Sequence, residues 1–131
     1  MPDLDRREIA AIFLGGALGS LLRVWLGRAF ASSPGSWPWV TFAINVSGSF
    51  ALAYLATTLE RRSRSTYSWP LLGTGFCGAY TTFSTVQIET LRMIDHGRDA
   101  LATAYGLTSV LAGLLAIWVA TALVRRVRVR R

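Results

Sequence analysis

The stretch Gly73–Thr85, GTGFCGAYTTFST, sits where a membrane-spanning helix is expected, yet it is composed like a broken one. Three glycines (Gly73, Gly75, Gly78) are followed by four hydroxyl residues in five positions, Thr81, Thr82, Ser84 and Thr85, with Phe83 among them. Glycine permits non-helical backbone, and Ser and Thr side chains compete with the helix for its backbone groups. A bilayer tolerates an interrupted helix only where the freed groups are buried in protein or line a watery site. The composition therefore predicts a helix interrupted to handle an ion. The alternative is an intact helix packed closely through its glycines.

Outward from this stretch, the 131 residues are 52% hydrophobic and 16% charged, and the charges are clustered. Four segments, about 9–30, 38–59, 69–94 and 100–124, are apolar enough and long enough to cross a bilayer, which takes roughly 20 residues. The second and fourth carry no charge on any face, unlike the amphipathic helices of a soluble bundle. The chain reads as one all-α, four-span membrane domain over 1–131, ending in an Arg-rich tail at 125–131. Residues 6–31 mimic a signal peptide, with Arg6 and Arg7, an apolar run and Ala29-Phe30-Ala31. Arg23 and Arg28 interrupt that pattern ahead of the cleavage point, so the segment is read as the retained first span.

All fourteen basic residues are arginine. Ten lie in the N-terminal tail (Arg6, Arg7), the middle loop (Arg61, Arg62, Arg64) and the C-terminal tail (Arg125, Arg126, Arg128, Arg130, Arg131). The other side has Arg28 and Arg98, with Arg92 close by. The positive-inside rule places both termini in the cytoplasm of a multi-pass cell-membrane protein. The tail is read as an anchor to anionic lipid, with no nucleic-acid partner. A lone Cys77 excludes an internal disulfide, no metal-ligand spacing exists, and no nucleophile–base pair marks an enzyme. Cys77 and His96 are read as structural or incidental.

Within the spans, polar residues are few. Gly15 and Gly19 form a GxxxG in GGALGSLLR, with Gly16 and Ser20 repeating the small spacing beside it. Arg23 closes that motif, either snorkelling or facing protein or water. Asn45, in TFAINVSGSF, must pair with another helix or meet a solute. Glu89 and Arg92, three apart, read as an ordinary ion pair on one helix face. Tyr105, Thr108 and Ser109 share a face of the fourth span and are read as water-facing, partner-facing, or bonded back to their own helix. Amide and hydroxyl donors without a mid-membrane carboxylate favour a small anion, while carbonyls freed at a helix break would hold a cation.

The residues GGALGSLLR, then Thr41, Asn45 and Gly48 as T-x-x-x-N-x-x-G, then GFCGAYTTFST, resemble the small fluoride channel family (Fluc, also called CrcB) across all four spans. The resemblance implies four-span subunits forming antiparallel dimers, with two narrow pathways between them for passive fluoride export. It implies a structural, untransported Na+ on the carbonyls of Gly78 and Thr81. It implies an anion pathway along Asn45, Phe83, Thr82, Ser84, Tyr105 and Ser109, with Arg23, Gly48 and Glu89 as structural residues.

Two features depart from the family pattern. A second pathway phenylalanine is expected three residues after Phe83, where this chain has Val86; Val40 likewise replaces a glycine before Thr41. The arginine bias also fits poorly with a chain that must insert in both orientations. Hence the partner is expected to be either a second copy or a sister chain of opposite bias, with one pathway vestigial. A small multidrug-type exporter is the other carrier reading, but it needs a first-span carboxylate, and 9–26 has none. A structural membrane protein would need no broken helix.

Overall fold

The computed structural model describes residues 5–59 and 67–129. Arg61, Arg62 and Arg64 of the middle loop, and Arg130 and Arg131 of the tail, lie outside the described residues. All secondary structure among the described residues is helical. Helix α1 spans Arg6–Ala29 and α2 spans Trp39–Leu59. A π-helix, Trp69–Cys77, runs into a single turn, α3 (Gly78–Tyr80); α4 is Phe83–Asp95 and α5 is Asp99–Val129.

Three of these, α1, α2 and α5, are long and apolar enough to cross a membrane. Their flanks carry the apolar surface a bilayer requires: Phe13 is 74% exposed, Leu111 66% and Trp118 66%. The third expected span, by contrast, is divided between the π-helix with α3 and the separate α4.

Packing pairs α1 with the π-helix, and α2 with α5, while α4 leans on α5. The first contact is set by glycine. A Cβ on Gly15 would collide with the Leu71 carbonyl, one on Gly19 with the Phe76 carbonyl, and one on Gly75 with the Ile12 carbonyl. The GxxxG of α1 thus meets the π-helix backbone to backbone, as small residues at this spacing allow. The underwound form is an uncommon one; it begins with Pro70 in its first turn and carries Gly73 and Gly75 on its buried side.

A small core closes the other end. Val86, Met93, Ala102 and Tyr105 are buried together, with Trp37, Phe42 and Leu101 packed against them. Trp37 sets its ring edge-on to Tyr105, centroids 5.4 Å apart. Trp39 is 66% exposed, in keeping with an interfacial belt.

Candidate functional site

The interruption falls at two threonines. Thr81 and Thr82 are extended (φ −75°, ψ 153° and φ −148°, ψ 119°) between the last residue of α3 and the first of α4. The glycines expected to loosen this segment do not make the break. Gly73 and Gly75 serve close packing, and Gly78 is helical (φ −62°, ψ −35°).

One row of α2 explains the break. Asn45 donates from Nδ2 to the Thr82 carbonyl at 2.9 Å, and its Oδ1 accepts the Thr82 N–H at 2.8 Å. That amide pairs with Thr82 as a neighbouring strand would, satisfying both backbone groups of an extended residue in an apolar setting. Gly48, one turn on, leaves room for the side chain of Thr81, which a Cβ there would strike. Thr41, one turn back, donates to Glu89 Oε1 at 2.7 Å. Thr41, Asn45 and Gly48 therefore contact the third segment along one face of α2, at helical spacing.

The two helix ends at the break are finished by different groups. Arg23 Nε donates to the Ala79 carbonyl at 3.1 Å, closing the end of α3 from α1. Thr81 returns to the Cys77 carbonyl through both its N–H (3.1 Å) and its hydroxyl (3.0 Å). Thr82 caps α4, its Oγ1 accepting from Thr85 N–H at 3.3 Å and lying 2.9 Å from Thr85 Oγ1 and 3.3 Å from Ser84 Oγ. These bonds divert two amides. Thr82 N–H would serve the Gly78 carbonyl in an unbroken helix, and Thr85 N–H would serve Thr81. Neither carbonyl has a hydrogen-bond partner among the described residues.

Phe83 begins α4 and is 72% exposed, projecting from the subunit beside this cluster. Val86, one turn further, turns inward against Tyr105. Tyr105 is wholly buried and donates its hydroxyl to Glu89 Oε2 at 2.9 Å. The face shared by Tyr105, Thr108 and Ser109, read as water-facing, partner-facing or bonded back to its own helix, is therefore divided. Tyr105 points into the subunit, the Ser109 hydroxyl is buried, and Thr108 is exposed. The expected Glu89–Arg92 pair is met at a distance: both Glu89 oxygens accept hydrogen bonds, from Thr41 and Tyr105, while the Arg92 charge acts on the carboxylate without a close contact among the described residues. The Thr41–Glu89–Tyr105 bridge from α2 through α4 to α5 was not legible, because it links residues 41, 89 and 105 across three helices. Spacing within one helix shows only near neighbours.

An all-helical membrane protein whose third segment is stopped in mid-course, with freed carbonyls and a hydroxyl cluster at the stop, belongs to the class that handles ions rather than to the enzymes. The chain belongs to the CrcB family: the model described as "CrcB-like protein, Camphor Resistance (CrcB)" matches residues 10–121. Among its relatives, the fluoride-specific ion channel FluC 1 of Mycolicibacterium paratuberculosis is 58% identical over the full length of both chains. FluC 1 of Mycobacterium bovis is 54% identical, again over both full lengths. The fluoride-specific ion channel FluC of Acidobacterium capsulatum is 43% identical over 82% of this chain and 87% of its own.

Proposed function

We infer that this chain is a fluoride-specific ion channel subunit that lets fluoride leave the cytoplasm passively and so lowers its toxicity. The observation that carries this reading is the break at Thr81–Thr82, held by Asn45, in a chain of the CrcB family. The subunit crosses the cell membrane four times, the third time as the interrupted pair of helices, with both termini cytoplasmic. A second subunit packs against it in antiparallel fashion.

Fluoride passes the exposed ring edge of Phe83, whose positive rim favours an anion. It also passes Asn45, which keeps one amide hydrogen after donating to Thr82, and the hydroxyls of Thr82 and Ser84. A structural Na+ fits the Gly78 and Thr81 carbonyls, whose helical amides are diverted to Asn45 and Thr82. Bound there, it would supply a fixed positive charge at the dimer centre. Carbonyl oxygen is the ligand such a hard cation prefers.

A second reading concerns the partner. The arginine bias of this chain favours a single orientation, so the antiparallel partner is a sister chain of opposite bias. Fluoride efflux from liposomes tests both readings, with chloride as control. Fast efflux from the purified chain alone supports the channel and self-pairing. Efflux only after adding an oppositely biased sister chain supports the mixed dimer. No efflux in either case overturns the channel reading.

A further inference from the structure

Helix α5 is longer than its packing requires. Its 31 residues extend about 46 Å, against roughly 30 Å of hydrocarbon in a bilayer. Val124 is buried at 8% exposure, whereas Val127, one turn on along the same side, is 62% exposed. The helix has thus left the packed part of the subunit in its last turns, which carry Arg125 and Arg126. Both are exposed, and neither has a hydrogen bond or an ion pair among the described residues. No acidic residue follows Asp99 in the chain. The arginines at the start of α1 are placed differently: the Arg7 charge acts on the Asp5 carboxylate, and Glu8 follows it.

These guanidiniums stand at the end of an apolar flank. Leu111, Leu115, Trp118 and Ala122 follow one another three and four residues apart, and Arg125 and Arg126 continue the row. Leu111, Leu115 and Trp118 are all exposed, while the opposite side of α5 packs into the subunit through Tyr105, Ala116, Ala120 and Val124. The uncharged run from 100 to 124, about 37 Å long, brings Arg125 to headgroup level when the run is sunk in hydrocarbon. Trp118 then lies about 10 Å deeper, among acyl chains. Cations at a helix C-terminus also suit its dipole, but that preference is blind to the flank they occupy. Here both fall in register with the lipid-facing row.

We propose that this flank is a binding site for one anionic phospholipid, with Arg125 and Arg126 on the headgroup phosphate and an acyl chain lying along Leu115 and Trp118. Guanidiniums offer forked donors that suit phosphate oxygens. Each basic residue near a membrane surface favours an anionic lipid about fivefold, whereas a zwitterionic headgroup answers its own phosphate. The exposed row below gives an acyl chain a place to lie that a soluble polyanion would not use. The inference rests on the chain's crossing a bilayer and not on the ion it carries.

The test places the full chain in liposomes of phosphatidylcholine and phosphatidylglycerol, with brominated acyl chains on one lipid or the other. Bromine quenches tryptophan fluorescence on contact, and the Trp118 signal is the difference between wild type and W118F. The remaining tryptophans report whether each variant is folded. Brominated phosphatidylglycerol is expected to quench Trp118 at about five- to tenfold lower mole fraction than brominated phosphatidylcholine, the ratio falling as salt is added. R125Q/R126Q should bring that ratio near one, and R125K/R126K should keep most of it. Equal quenching by the two lipids in wild type overturns the site. A preference that survives R125Q/R126Q also overturns it, since the rest of the arginine tail would then be its source. So does binding of an oligonucleotide through these arginines with no lipid preference, which makes the occupant a nucleic acid. Fluoride is not read in this experiment, so failure of the channel reading leaves its result standing.

Discussion

At the scale of single residues, the site is built from side chains that finish backbone groups in other helices. Asn45 does this twice for Thr82, so Asn45→Ala leaves an N–H and a carbonyl without partners in an apolar setting. The expected loss is about 1–3 kcal/mol for each group left bare, read as a lower unfolding midpoint in detergent, with fluoride efflux falling alongside. Tyr105→Phe is a finer probe, because the ring keeps its packing while Glu89 loses one of two donors. A hydrogen bond to a charged group contributes about 1.5–3 kcal/mol, so Tyr105→Phe and Thr41→Val should each lower stability by that order. A midpoint unchanged in both variants would mean that Glu89 does not depend on these donors. Asn45 stood out in the sequence because an amide deep in an apolar span is costly unless paired. Its partner did not, since nothing in a linear chain says that residue 45 lies beside residue 82.

At the scale of helices, the contact between α1 and the π-helix makes a paired prediction. A methyl on Gly15 would run into the Leu71 carbonyl, whereas one on Gly16 would meet its nearest atoms at 3.9 and 4.0 Å, ordinary contact. Gly15→Ala should therefore destabilise by about 1–3 kcal/mol, the range for overpacking, and Gly16→Ala should be close to neutral; equal midpoints would refute the contact. The first turn of α1 gives a pH prediction. Asp5 caps it, accepting from Arg7 N–H and from the Tyr67 hydroxyl, both at 2.9 Å. The Arg7 backbone bond, then the Tyr67 bond, hold the Asp5 carboxyl below the usual carboxylate value. A depressed value in the folded chain means the cap is fully present above the unfolded value and is lost as pH falls through the lowered one. Amide exchange at the start of α1 should accelerate in that acidic window, and Asp5→Ala should show the fast rate at neutral pH as well. The GxxxG was legible because small residues four apart have few other uses in a span. The π-helix was not, since its glycines read equally well as a break.

At the scale of the whole molecule, the exposed Phe83 and the open Gly78 and Thr81 carbonyls leave the subunit unfinished at the break, and the proposed second subunit is what would finish it. If the sister-chain reading holds, weakening the cytoplasmic arginine bias by converting Arg125, Arg126 and Arg128 to glutamine should let this chain insert both ways. Efflux from the chain alone would then rise from background. If it stays silent, charge is not what keeps it from pairing with itself. The three long helices were plain from hydropathy alone. The division of the third apolar segment was legible in kind, from glycines and hydroxyls crowded into thirteen positions. Its place, at the two threonines, was decided by α2.

The order in which these groups leave the ribosome bears on how the break is made. An interrupted segment is a poor passenger for a bilayer, because its bare amide and carbonyls have nothing to bond there. Here the residue that pairs with Thr82 is made first: Asn45 precedes Thr82 in the chain, so a partner for its amide and carbonyl exists when it emerges. Glu89 finds Thr41 waiting in the same way, but its second donor, Tyr105, comes only with the last helix. A nascent chain halted before α5 would thus have Thr82 paired with Asn45 and Glu89 with one of its two donors, while the Gly78 and Thr81 carbonyls still lacked a partner. The final helix closes a structure in which the partner of Thr82 was made before it.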